Sequence, residues 1–165
     1  MLSSILAQMP WQSPSVDYHA IAPEIILAGG ICLVILVDLF TSESRKWITA
    51  TLTGFVMLGA LVPILTLAVD DVNVRSLFDG RYVVDEFSLT LKALFLIAGY
   101  VVVLMSQNHV EEGDYYQGEY YTLMLTSITG MVMMASSRDL VSIFVALEFL
   151  SIPAYMLAEI GRAHV

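Results

Sequence analysis

Basic residues are scarce: seven lysines and arginines stand against sixteen aspartates and glutamates in 165 residues. So few cations form no basic patch, which argues against a nucleic-acid partner. Charge of either sign is thin, at 14% of the chain, where soluble domains carry about a quarter. Cysteine is thinner still. Cys32 is the single thiol, so an internal disulfide and a cysteine-based metal site are both excluded. Lying in an apolar run, it is expected to be a buried small residue. His19, His109 and His164 are scattered without ligand spacing, and no glycine-rich phosphate loop or nucleophile motif occurs. No cofactor or metal is expected.

What fills the chain is apolar: 58% of residues are hydrophobic and the mean hydropathy is +0.77. The acids are clustered. Asp70, Asp71, Asp79, Asp85 and Glu86 share one stretch, and Glu111, Glu112, Asp114 and Glu119 another. Between the clusters, apolar segments reach the roughly 20 residues that a helix needs to cross a hydrocarbon core. The net charge of −9 therefore describes loops. The expected fold is an all-α integral membrane protein of about five transmembrane helices in a lipid bilayer.

Met1 to Asp17 is a mixed leader without a basic n-region, which argues against a cleavable signal peptide. The first span, Pro23 to Phe40, opens with Pro23, and Glu24 lies in a first turn where a carboxylate suits the helix dipole. A short loop, Thr41 to Lys46, leads to the second span, Trp47 to Val69, interrupted by Pro63. Within Asp70 to Glu86, "SLFDGRYVVDEF" sets Asp-Gly between runs holding Leu77, Phe78, Tyr82, Val83 and Val84. That pattern predicts a short β-hairpin between helices 2 and 3, on the membrane surface. Phe87 to Met105 is the third span, with Lys92 expected to snorkel to the interface. Ser106 to Gly118 reads as an acidic loop. Glu119 to Ala135 is the fourth span, and its Thr126, Ser127, Thr129 and Gly130 suit helix–helix packing. A turn, Ser136 to Asp139, leads to the fifth span, Leu140 to Ala158. Arg45 and Lys46 favour a cytoplasmic first loop and an N-terminus outside, with Arg75 and Arg81 counting against it.

The fifth span holds one acid in its middle, in "FVALEFLSIPAYMLA". Glu148 lies about 12 Å into the helix at 1.5 Å per residue. An acid at that depth costs about 2.5 kcal/mol or more, and such residues tend to mark ion paths. Helical spacing groups Phe144, Ser151, Ile152 and Tyr155 with it. This polar stripe is expected to face protein or internal water. Pro153 cannot donate to the Phe149 carbonyl and is expected to kink the helix beside the acid. Desolvation disfavours the charged form, so Glu148 suits proton transfer, with Ser151 and Tyr155 as its polar surroundings. The structural alternative is a protonated glutamate hydrogen-bonded to a neighbouring helix.

These residues resemble a known family. "SRDLVSIFVALEFLSIPAYMLA" is similar to the fifth-helix signature of the N subunit of proton-pumping NADH–quinone oxidoreductase, respiratory complex I. "APEIILAGGICLVILVDLF" resembles the family's first helix, "LFDGRYVVDEFSLTLKALFLIAGYVVVLMS" its hairpin and third helix, and "GEYYTLMLTSITGMVMMASSRDL" its fourth. The resemblance covers about Ile21 to Ala158 in the family's order. It implies an antiporter-like subunit with the N-terminus outside, in a bacterial inner membrane, partnered by other membrane-arm subunits of the complex. It assigns proton translocation to Glu148. Neither flavin, iron–sulfur cluster nor quinone is implied in this subunit, which would be the non-redox part of a translocase. Related antiporter-like subunits usually place an aromatic just before the glutamate; Leu147 stands there and favours the N type. In the family a lysine on a later helix modulates the glutamate, and neither Lys46 nor Lys92 matches it. A cation/proton antiporter, a membrane-bound hydrogenase, or a structural or assembly subunit are the alternative readings.

The family is far longer, and "EIGRAHV", Glu159 to Val165, departs from it. The segment reads as the translation of GAG ATC GGA AGA GCA CAC GTC, similar to a sequencing adapter. Residues 1–158 are therefore expected to be the N-terminal part of an antiporter-like domain, and 159–165 a non-native tail. Such a fragment is not expected to pump alone.

Overall fold

Each apolar run forms a helix, and the Asp-Gly stretch forms the hairpin. The computed structural model describes residues 16–41, 47–69, 74–112 and 117–160. In chain order these form α1 (Ala22–Phe40), α2 (Trp47–Val69), β1 (Arg75–Leu77), β2 (Tyr82–Val84), α3 (Glu86–Glu112), α4 (Gln117–Ser136) and α5 (Leu140–Ile160). The strands pair antiparallel, with Arg75 opposite Val84 and Leu77 opposite Tyr82. Phe78, Asp79 and Gly80 all take positive φ in the turn, so Phe78 belongs to the turn and not to the first strand. Glycine carries such a φ without the steric cost a side chain brings.

Four of these helices, α1, α2, α3 and α5, are long and apolar enough to cross a membrane. The exception is α4, and its place explains why. It packs against α1, α2, α3 and α5, burying Tyr121, Leu125, Ile128, Thr129 and Val132. A helix enclosed by protein has no need of an apolar coat. The outer helices carry one: Leu36 and Phe40 on α1, Phe55 on α2, and Leu94 on α3 stand exposed. Cys32 is also exposed on α1, contrary to the expectation of a buried small residue, because it lies on the outward face.

The segment 106–118 is mostly helix and not a loop. Residues 106–112 continue α3 and Gln117 begins α4. Glutamate and glutamine are good helix formers, so the apolar pattern stops at the membrane edge while the helix does not. Likewise α5 runs to Ile160, two residues into the segment read as foreign. Residues 161–165, the leader up to residue 15, Arg45 and Lys46, and Asp70 and Asp71 lie outside the described residues.

Two aspartates start the helices at the hairpin end. Asp85 Oδ1 accepts from the Ser88 amide at 2.8 Å, and the Ser88 hydroxyl oxygen accepts from the Asp85 amide at 2.8 Å. This reciprocal box satisfies two donors at the start of α3. Asp139 caps the start of α5 in one direction only: its carboxylate accepts from both the amide and the hydroxyl of Ser142. The hairpin is tied to the α4–α5 turn: the Arg138 amide donates to the Arg81 carbonyl at 2.8 Å, and the Arg138 guanidinium to Asp85 Oδ2 at 2.6 Å.

The Ser88 amide, opposed by partial burial and aided by the Ser88 hydroxyl and the Arg138 charge, holds the Asp85 carboxyl below its ordinary range. A carboxyl lowered in the folded state stabilises the fold above its unfolded value and loses that stabilisation as pH falls through the folded value. Asp85→Ala is expected to cost about 1 kcal/mol at neutral pH. Unfolding in detergent should show this gap, and it should close on acidification through the native Asp85 value.

Candidate functional site

Charged side chains meet at the hairpin end of the bundle. Glu24 is the third residue of α1, set there by the proline at the helix start. Lys92 is the seventh residue of α3. Side chains on a helix lean toward its N-terminus, so the long lysine stem reaches back along α3 toward the level of Glu24. Lys92 Nζ lies 2.8 Å from Glu24 Oε1. Tyr82 on β2 completes the group. Its hydroxyl donates to the same Glu24 oxygen at 2.5 Å and accepts from Lys92 at 3.2 Å. The ammonium also lies 5.1 Å from the Tyr82 ring centroid, within reach of a cation–π contact. Burial first, and then the Glu24 carboxylate, push the Tyr82 hydroxyl up from its ordinary value, so it remains a donor.

The Lys92 side chain is 0% exposed and that of Glu24 12%. Lys92 therefore does not snorkel to the interface: an ion pair within the bundle replaces water as its partner. Glu24 is more than a carboxylate suited to a helix dipole, since it neutralises that lysine. Its second oxygen, Oε2, is buried without a hydrogen-bond partner. A cavity of about 460 Å³ adjoins the pair, lined by Glu24, Arg81, Tyr82, Ser137, Ser142 and Val145 among others.

Glu148 lies elsewhere. Helix α5 docks on α4 through a stripe at Ala146, Leu150, Pro153 and Leu157, of which Ala146 and Pro153 are buried. The contact is close. A Cβ added to Gly130 would lie 2.5 Å from the Leu150 backbone nitrogen, and the Ser127 hydroxyl donates to the Leu150 carbonyl at 3.1 Å. Glu148 follows Ala146 by two residues, about 200° round the helix. It is half-buried, and none of the described residues hydrogen-bonds its carboxylate. Ser151 donates to the Leu147 carbonyl at 2.6 Å, so its hydroxyl is engaged by its own helix. Tyr155 is 74% exposed and Phe144 60%. Glu148, Ser151 and Tyr155 thus share one face of α5, as their spacing predicts. The described residues do not supply the protein wall expected to cover it. Helix α5 runs continuously from Leu140 to Ile160 with Pro153, which is buried, inside it.

Among the described residues, no three His, Cys, Asp or Glu side chains converge as a metal site would require.

No family model matches the chain. Individual relatives do. It is 34% identical over 146 residues to NADH-quinone oxidoreductase subunit N of Thioalkalivibrio sulfidiphilus, and 38% identical over 152 residues to that of Anoxybacillus flavithermus. Those matches take in 88% and 91% of this chain. A third relative, subunit N 2 of Chloroherpeton thalassium, is 36% identical over 143 residues, covering 84% of this chain. The chain is a homologue of part of subunit N. It spans about 30% of the length of the curated relatives it matches.

The ion pair in this subunit N homologue carries its own test. Removing one partner of a buried pair strands the other charge and costs about 3–5 kcal/mol, whereas replacing both can be neutral. Lys92→Met should therefore destabilise the protein strongly, and Lys92→Met with Glu24→Gln should recover most of the loss. Thermal unfolding in detergent reads both.

Proposed function

We propose that this chain forms part of a proton channel in the membrane arm of a bacterial NADH–quinone oxidoreductase, with Glu148 carrying the proton. The observation behind it is a carboxylate about 12 Å into an apolar helix that no described residue hydrogen-bonds, in a chain homologous to subunit N. A strut would need a hydrogen-bond partner, and among the described residues none bonds this carboxylate. The subunit would sit in the inner membrane with its N-terminus on the periplasmic side, packed against other membrane-arm subunits. Redox chemistry would belong to those neighbours. Lys92 is already engaged by Glu24, so the cation that modulates Glu148 would come from outside the described residues.

The test uses full-length subunit in the assembled complex, with proton uptake and quinone reduction measured at matched complex content. Glu148→Gln keeps the shape but cannot ionise, and should cut both rates by about tenfold or more, equivalent to about 1.4 kcal/mol on the barrier. Glu148→Asp keeps the acid and should retain more activity. Ser151→Ala should matter little, because that hydroxyl bonds its own helix. Full pumping by the Gln variant refutes the proposal, and greater damage from Asp than from Gln points to a strut.

We also propose that residues 159–165 are foreign to the gene. Resequencing the source locus should give a different, more apolar continuation after about Ala158. Recovery of the same seven codons followed by a stop would refute this.

A further inference from the structure

Arg75, Arg81 and Arg138 stand at the hairpin end, and the first and last have acid partners. Arg75 pairs with Asp17 at 2.8 Å and Arg138 with Asp85 at 2.6 Å. The Arg81 guanidinium makes no ion pair or hydrogen bond with any described residue. It is exposed, and it lines the cavity of about 460 Å³ beside the starts of α1 and α5. The other polar groups of that lining are already committed. Glu24 is neutralised by Lys92 and accepts from Tyr82. The Ser137 hydroxyl donates to the Met133 carbonyl at 2.8 Å, and that of Ser142 to Asp139 at 2.5 Å. The rest of the lining is apolar: Ile21, Phe78, Met133, Val141 and Val145. Phe78, Val141 and Val145 are exposed, so this apolar wall is open to whatever surrounds the bundle.

Depth sorts these groups. Arg81 lies in the hairpin, outside every apolar span, whereas Val145 is the sixth residue of α5, about 8 Å beyond the helix start. A cation at the membrane surface above an apolar recess suits an amphipathic molecule with its anionic group uppermost. The recess is too narrow for another helix, which at about 10 Å across would fill about 600 Å³ over that depth. The carboxylates nearby decide the headgroup. Asp139 lies close enough to Arg81 to feel its charge, and Asp79 precedes Arg81 by two residues in the same turn. A purely anionic headgroup would meet both acids, but a zwitterionic one would satisfy either sign. We propose that the cavity binds a phospholipid whose headgroup carries a primary ammonium. Its phosphate sits on Arg81, whose planar fork matches phosphate oxygens in pairs, its ammonium at Asp139, and its acyl chain against Met133, Val141 and Val145. The site is independent of the proton reading of Glu148.

The experiment uses membranes holding assembled complex with full-length subunit. Phosphatidylethanolamine with a photoactivatable group near the top of its acyl chain is added, and crosslinked peptides are mapped by mass spectrometry. Labelling is expected at the start of α5, around Val141 and Val145, with the exposed Phe55 of α2 reporting ordinary boundary lipid. Unlabelled phosphatidylethanolamine should suppress the α5 signal, whereas phosphatidylglycerol or free phosphoethanolamine at the same concentration should not. At matched complex content, Arg81→Gln should cut that signal about tenfold, as loss of a charge-assisted hydrogen bond would, and leave labelling at Phe55 unchanged. Val145→Trp, which fills the recess but keeps Arg81, should do the same. No labelling at the start of α5 means that other parts of the protein fill the cavity, and overturns the proposal. Wild-type labelling in either variant overturns it too, and equal suppression by phosphatidylglycerol overturns the role given to the ammonium and Asp139.

Discussion

A lysine with no exposed side-chain surface, in a bundle whose outer helices face hydrocarbon, constrains everything around it. The Lys92 ammonium requires a counter-charge and further acceptors, and its side chain has no surface open to bulk solvent. Glu24 meets the first requirement and Tyr82 the second. Each comes from a different element, so α1, the hairpin and α3 are fixed to one another at one end. The hairpin is then clamped to the α4–α5 turn by Arg138, which reaches both Arg81 and Asp85. A small two-stranded sheet, marginal on its own, thereby becomes the knot that joins the starts of α1, α3 and α5. Its strands need only three residues each because their side chains, not their ladder, carry the contacts.

Much of this was legible in the sequence, and the misses share a cause. Apolar runs near the length of a bilayer gave the helices, and Asp79-Gly80 between β-branched and aromatic runs gave the hairpin. Both signals are local. The Glu24–Lys92 pair is not local: each residue had an adequate explanation from its own helix, a dipole for one and snorkelling for the other. Topology could have joined them. Alternate spans begin on the same side of a membrane, so the third residue of α1 and the seventh of α3 lie at neighbouring depths, about 3 and 9 Å in. The lysine stem leans back across the difference. The central place of α4 was hidden for a related reason, since hydroxyls and glycine mark packing without saying how many helices pack. The polar run after Met105 looked like a loop because apolarity reports the membrane, whereas helicity follows backbone propensity.

Glu148 was legible in chemistry but not in surroundings. Its depth and its neighbours at helical spacing follow from the sequence, yet the direction in which its face points depends on which other face of α5 is docked. That choice is made by small groups. At Gly130 an added Cβ would press on the backbone of residues 146, 149 and 150, so α4 and α5 approach as closely as backbones permit. Ser127 bonds a carbonyl of the facing helix. Such a contact fixes rotation as well as distance, because turning α5 would bring larger side chains against Gly130 and force the helices apart. With Ala146, Leu150, Pro153 and Leu157 committed to α4, Glu148 is held on the far side of the helix. The place of the acid is therefore determined by a glycine and an alanine more than by the charge itself. Any residue larger than glycine at position 130 would move the carboxylate without touching it.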